Sequence, residues 1–396
     1  MNNDTNNPID NNSLKSIDFK SLEQLEDAGI ITLGRGKVIS KKDIRDNPGT
    51  YPIYSSSATG DGVFGKYGSY MFDDTRITWS IDGGGKFFFR DAPKYSVTNV
   101  CGWLTVNKPQ ILDIRFLYFA LMDEWSKKKY DYVHKAHPSV IRKEYTLPIP
   151  PINIQKKIAK TLDAFVNLEK LLEDELEGRQ QQYDHYKNKL LSLDGPFKTE
   201  SIVWSKLGEI AHFRRGSFPQ PYGKREWYDG DGAMPFVQVA DIGDDMKLVA
   251  NTKRKISKIA QPLSVFAPKG SIIISLQGSI GRIAVTQYES YIDRTVAIFD
   301  NISENVDRKY FVYQLQRIFS IKEKNARGST IKTITKEEFS DFSIPIPPID
   351  MQKQIVGVLD NFDSLCNNTK TGLPAEIASR NSQYEFYRKK LLSFGR

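Results

Sequence analysis

Apolar residues recur every seven positions along two stretches of this chain. Ile158, Phe165, Leu172, Arg179, Tyr186 and Leu193 are spaced this way, and so are Leu162, Glu169, Leu176, Tyr183 and Leu190. Nine of these eleven positions are apolar, Glu169 and Arg179 being the exceptions. Such a stripe predicts a helix that buries one seam against a partner helix. If continuous from Ile154 to Leu193, it would span about 60 Å at ~1.5 Å per residue, the length of a spacer rather than of a core element. A second seam starts at Ile355, Leu359, Phe362 and Cys366, and resumes with Ile377, Tyr384, Tyr387, Leu391 and Phe394 beyond Gly372-Leu373-Pro374. Gly and Pro predict a kink or short break there. Two matched helices predict antiparallel packing on each other; the alternative is a helix that only covers its own domain.

The two seams belong to a duplicated unit. Leu147 to Phe165 reads LPIPPINIQKKIAKTLDAF and Ile344 to Phe362 reads IPIPPIDMQKQIVGVLDNF, so Pro148 maps on Pro345, Gln155 on Gln352 and Phe165 on Phe362. Gln182 to Leu193, QYDHYKNKLLSL, matches Gln383 to Phe394, QYEFYRKKLLSF, with four further residues inserted in the second copy. The prolines lock φ and remove amide donors, which predicts an extended element where a strand hands over to a helix. Asn153 and Asp350 are the expected N-caps.

Each copy has one grammar: a globular segment, a Pro-Ile-Pro-Pro stop, a long helix. The predicted fold is α+β, with two mixed α/β heads separated by two long helices that form an antiparallel coiled coil, a pseudo-two-fold internal repeat. The expected boundaries are a polar, disordered tail at 1–15, a first head at 16–150, a helical spacer at 151–197, a second head at 198–347 and a second spacer at 348–396. Ser271 to Leu276 is a buried-strand run leading into the polar glycine turn Gln277-Gly278-Ser279-Ile280-Gly281-Arg282, and the first head has comparable runs at Tyr51 to Ser57 and Phe87 to Arg90. Outside their ends the heads diverge. One scaffold carrying different surface residues predicts two different targets.

Hydrophobic residues make up 39% and charged residues 26% of the chain, the balance of a folded globular protein. Lys and Arg number 56 against 48 Asp and Glu, a formal charge of +8 that suits a polyanionic partner. Cys101 and Cys366 lie far apart without metal-ligand spacing, which predicts no disulfide framework, no zinc site and a reducing cytoplasm. No apolar stretch approaches membrane-spanning length, so no membrane contact is expected. Gly60 to Gly65 matches GxGxxG but leads into Lys66-Tyr67-Gly68-Ser69-Tyr70, which is no helix, so a dinucleotide site is not expected. The chain has no GxxxxGK[ST] loop, and its Pro-Pro pairs lead to Ile152 and Ile349 rather than to the aromatic of a base-methylating pocket. His134, His137, His185 and His212 lack metal-binding spacing. No catalytic residue and no cofactor is assigned.

Basic residues cluster before the proline element in both heads, at Lys127 to Arg142 and at Lys322 to Lys332. Arg327, Ser329, Thr330 and Lys332 suit phosphate contacts. Arg35, Lys37, Arg214, Arg215, Gln277 and Arg282 sit beside glycines or polar turns that can present a side chain to a base edge. Tyr54, Ser55, Lys66, Lys135, His137, Arg142, Lys224 and Arg225 complete the candidate DNA-contacting set.

The paired proline-to-helix units, the Tyr-xx-Tyr-(Lys/Arg)-xx-Leu-Leu-Ser helix ends and the two unlike heads together resemble the specificity subunit of type I restriction-modification systems, from about residue 16 onward. Gly372 to Ile377 also resembles a segment of that family's distal helix. The resemblance implies two target recognition domains, each reading half of an interrupted DNA sequence, with the helices acting as a ruler. It implies as partners double-stranded DNA, a methyltransferase subunit in two copies bound through the helices, and a restriction-translocase subunit. S-adenosylmethionine and ATP would belong to those partners. On this reading Leu162, Phe165, Leu172, Leu176, Tyr183, Tyr186, Leu190, Leu359, Phe362, Ile377, Tyr384, Tyr387 and Leu391 build the coiled coil and its partner surface. Two rivals stay open from the residues alone: a fused or stand-alone restriction-class enzyme, and a coiled-coil scaffold whose heads bind something other than nucleic acid.

Overall fold

The Pro-Ile-Pro segment is a strand in both copies, and a partner strand far away in sequence keeps it extended. A computed structural model describes residues 17–56, 62–91, 94–131, 133–193, 201–325 and 334–394; the expected tail at 1–15 lies outside them. The first head opens with β1 (Asp18–Ser21) and α1 (Leu22–Asp27), where the Ser21 hydroxyl accepts from the Gln24 amide and the Gln24 side chain accepts from the Ser21 amide. It continues through β2 (Ile31–Arg35), α2 (Lys41–Asp46), β3 (Tyr51–Tyr54), β4 (Val63–Tyr67), β5 (Arg76–Ser80), β6 (Phe87–Arg90), β7 (Ser96–Val97) and β8 (Cys101–Val106). Helices α3 (Ile114–Trp125) and α4 (Pro138–Glu144) lead to β9 (Thr146–Ile149), which pairs with β1 so that Pro148 faces Phe19. A four-stranded sheet ordered β2-β8-β5-β6 and a three-stranded sheet ordered β4-β3-β7 make up the head. Ile77, Trp79 and Leu104 of the larger sheet share one core with Phe116 and Phe119 of α3.

Helix α5 (Ile152–Ser192) follows, 41 residues long. The second head then repeats the plan: β10 (Val203–Lys206), α6 (Leu207–Ile210), β11 (Ala211–Arg215), β12 (Met234–Val237), β13 (Arg254–Ile256), β14 (Val265–Ala267), β15 (Ile272–Ser275), β16 (Ile283–Val285), β17 (Ser290–Ile292), β18 (Val296–Ile302), α7 (Arg308–Asn325), α8 (Lys336–Ser340) and β19 (Ser343–Ile346). Its sheets are ordered β11-β18-β15-β16 and β13-β12-β17-β14, and Pro345 of β19 faces Trp204 of β10 as Pro148 faces Phe19. The second sheet of each head holds one parallel pair in the same place, β3 with β7 and β12 with β17; β14 is the second head's addition. The heads share one topology beneath dissimilar sequences.

The chain ends with α9 (Ile349–Asn367) and α10 (Leu373–Leu392). Their separation is the break that Gly372 and Pro374 predict. There the Gly372 amide bonds to the Asn368 carbonyl, and a Cβ on Gly372 would lie 2.5 Å from the Ser364 carbonyl oxygen. Asn153 and Asp350 are not N-caps. The helices begin two residues earlier than such caps would place them, at Ile152 and Ile349, because Pro151 and Pro348 supply the first carbonyl acceptors, and no side chain caps α9.

The described residues fall into two compact units, one from Met1–Asp174 with Ala375–Arg396, the other from Glu175–Pro374. In the first, the core of the head includes Ile158 and Leu162 of α5 and Leu392 of α10, with Tyr384 and Leu391 packed on it, and Phe165 stacks on Tyr387 at 5.4 Å. In the second, Tyr183 and Tyr186 of α5 stack on Phe362 of α9 at 6.1 and 5.9 Å, while Cys366, one turn further along α9, is influenced by Arg179. The later α9 residue thus meets the earlier α5 residue, which makes the pair antiparallel. Leu190 and Leu359 are buried in this unit, with Leu176 packed against the same cluster. Leu172 and Ile377 are half-buried, whereas Tyr186 and Tyr387 stay 45% and 41% exposed.

Candidate nucleic-acid interface

What fixes each head on its helix is a buried glutamine. Gln155 donates to the carbonyls of Pro150 and Ile111 and accepts from the Asp113 amide, at 2.7, 2.9 and 2.8 Å. Gln352 donates to Pro347 and Asn305 and accepts from the Asp307 amide, each at 2.8 Å. Three groups left unsatisfied by the prolines and by the loop before α3 or α7 are met by one amide in each copy. About two turns on from each glutamine, the Asp of the Leu-Asp pair locks the same joint: Asp163 binds Arg115 of α3 and Asp360 binds Lys309 of α7.

The helix ends are anchored as well. Arg388 of α10, almost buried, lies 3.6 Å from Asp123 of α3. Lys187 of α5, its counterpart in the repeat, donates to Gln316 of α7 at 2.9 Å, and burial pushes its pKa below the usual lysine value. Sequence reasoning missed these joints. The signal for them was the identity of Gln155 with Gln352 and of Asp163 with Asp360.

The candidate DNA-contacting residues divide sharply by whether the protein already occupies them. Lys135 pairs with Asp82, Arg142 with Glu26, Arg214 with Asp300 and Lys224 with Glu226. Arg282 donates to the Ile242 carbonyl and lies 3.6 Å from Asp244, and Arg215 donates to the Ile334 carbonyl. Ser55 shares a hydrogen bond with Thr98, and Tyr54 is buried against Tyr95 beneath the Arg90 guanidinium. By contrast Arg35, Lys37, Lys66 and Arg225 are exposed, and these four together with half-buried Gln277 have no side-chain hydrogen bond or ion pair among the described residues. Arg327, Ser329, Thr330 and Lys332, and part of the Gly60 to Gly65 turn, lie outside the described residues. Of the whole set the structure brings Arg35, His137 and Arg142 together, around one cavity in the first head.

Arg35 and Arg215 occupy the same place in the two heads. Each ends the first long strand of its head, facing Gly102 of β8 or Ala297 of β18, and each is followed by a glycine. A Cβ on Gly36 would lie 2.0 Å from the Val97 carbonyl oxygen, and one on Gly216 2.2 Å from that of Ile292, so only glycine lets these strands pass the parallel strand so closely. Among the described residues no group of His, Cys, Asp and Glu is placed to hold a metal, and no helix is long and apolar enough to cross a membrane.

Comparison with known proteins agrees with this duplicated arrangement. The sequence profile of the type I restriction modification DNA specificity domain matches twice, over residues 21–178 and 200–379. A Mycoplasma pneumoniae protein assigned by name to the type I specificity subunits is 27% identical over 371 residues, which cover 92% of this chain and 96% of that one. The specificity subunit of the Escherichia coli type I restriction enzyme EcoR124I/EcoR124II is 30% identical over 267 residues, 64% of each chain. In fold, the crystal structure of the S subunit of a Mycoplasma genitalium type I restriction-modification system superposes with a TM-score of 0.58 over 98% of each chain, at 17% identity.

Proposed function

The chain belongs to the type I restriction-modification DNA specificity family, and from that membership we propose that it is the DNA-reading subunit of a type I restriction-modification complex. Each head reads one half of an interrupted DNA target, and the subunit leaves catalysis to its partners. The observation that carries this is the double family match falling on two heads of one topology and different sequence. Equal scaffolds give equal docking on the duplex; unequal surfaces give two different half-sites.

Its partners are double-stranded DNA, a modification methyltransferase in two copies and a restriction-translocase subunit, which bring S-adenosylmethionine and ATP with them. Tyr186 and Tyr387, seam residues 45% and 41% exposed, offer the methyltransferase the parts of their rings that Phe362 and Phe165 do not cover. The 41 residues of α5 span about 62 Å, which bounds the interval between half-sites at about 18 base pairs of ~3.4 Å. A protein with this task works where the genome is, in the cytoplasm.

Methylation mapping of the host genome tests the proposal. An interrupted motif methylated on both strands should vanish when this gene is deleted. Unchanged methylation, or turnover by the purified chain given only DNA, magnesium and S-adenosylmethionine, would contradict it.

A further inference from the structure

A cavity of about 360 Å³ on the first head is lined by Leu33, Gly34, Arg35, His137, Pro138, Ser139 and Arg142. Its titratable lining is entirely basic. Glu26 holds one terminal nitrogen of Arg142 at 2.6 Å, which fixes the guanidinium, while the Nε of the same side chain is buried with no hydrogen-bond partner among the described residues. Glu26 offsets one of the two arginine charges. Arg35, exposed and without a partner among the described residues, supplies the uncompensated one. His137 Nδ1 lies within hydrogen-bond reach of the Ser139 hydroxyl and amide, at 2.9 and 3.4 Å. The cavity therefore offers donors and positive charge.

We propose that this cavity binds a backbone phosphate of the DNA duplex, giving the first head a sequence-independent grip. The proposal rests on the reading of the chain as a DNA-recognition subunit and assigns one contact within it. A tetrahedral anion can accept from Arg35 and from the terminal nitrogen of Arg142 that Glu26 does not hold, and the planar guanidinium is the group best matched to phosphate oxygens. The second head repeats the layout, although there the protein itself holds the arginine. There Arg215, topological counterpart of Arg35, donates to the carbonyl of Ile334, next to Thr335, which caps α8 as His137 caps α4. In both heads the arginine before the close-approach glycine thus stands beside the cap of the short helix that precedes the proline strand.

The test is DNA binding by the full chain assembled with its methyltransferase subunit, measured across a salt series on the methylated motif and on a duplex of unrelated sequence. Because Arg35 has no partner to lose among the described residues, Arg35→Ala should leave the melting temperature unchanged. It should weaken binding about fivefold on both duplexes and lower the salt slope by about one unit, one phosphate contact. Arg35→Lys should restore the slope and only part of the affinity. Equal affinity and slope for wild type and Arg35→Ala overturn the assignment. A loss confined to the motif makes Arg35 a base reader and overturns it too, as does an effect on inorganic phosphate binding alone. A wild-type complex without salt-dependent DNA binding overturns the functional reading beneath it.

Discussion

Gln155 is fully buried, and each of its three hydrogen bonds ends on the main chain. Truncation leaves two carbonyls and one amide without a partner in the interior, so Gln155→Ala or Gln352→Ala should each cost about 2–4 kcal/mol in denaturant unfolding. Gln155→Glu should not rescue, because a carboxylate cannot donate to two carbonyls. Alanine at Gly36 or Gly216 meets a backbone oxygen that cannot swing away, and should destabilise by about 2 kcal/mol or more; a melting temperature within a degree or so of wild type would show that the strands can yield. Sequence exposed the glutamine and the prolines as a repeated pattern. It hid what the glutamine binds, since Ile111 and Asp113 stand 44 and 42 positions away. The basic residues show the converse. Their charge was legible, but not that Lys135, Arg142, Arg214 and Lys224 already have acidic neighbours. Arg35, one of the few without a partner among the described residues, stood out no more than its neighbours in the sequence.

Helix α5 was legible as an element because its seven-residue period persists over many turns, and the break between α9 and α10 because Gly372 and Pro374 interrupt the matching one. The seam also separates residues that composition alone would count alike, Leu162 and Leu171 lying on opposite faces of the helix. Leu162 is fully buried and Leu171 is 65% exposed. Leu162→Ala should therefore cost about 3 kcal/mol, whereas Leu171→Ala should change unfolding by less than about 0.5 kcal/mol. Comparable losses would mean that the stripe is not where α5 packs. The helix starts were misplaced, because a proline carbonyl rather than a polar side chain begins them. The common scaffold of the heads was legible from their matching ends, but not its strand-by-strand topology: Ile77-Thr78-Trp79 and Ile272-Ile273-Ile274 occupy equivalent strands without resembling each other, and the parallel pairs leave no local mark in the sequence.

At the scale of the whole molecule, spacer length and target spacing should move together. One extra heptad in each copy's helix adds about 10 Å, so the methylated motif should lengthen by about three base pairs. An unchanged gap would end the idea of a ruler. The chain's only cysteines fall one in each unit, both buried, and burial pushes the Cys101 thiol up to about 12. Neither should react with a thiol reagent in the native state, and each then reports the opening of its own unit. Removing residues from Ala375 onward should speed labelling of Cys101 and leave Cys366 slow; equal protection of both would show that α10 is dispensable to the first unit.

The first unit is assembled from sequence segments at opposite ends of the chain, because Leu392 closes a core begun by Leu22. A ribosome delivers those ends in order. The segment carrying Leu22 must therefore wait, its apolar wall open, through the synthesis of everything in between, and a stretch translated long after it completes the part that was made earlier.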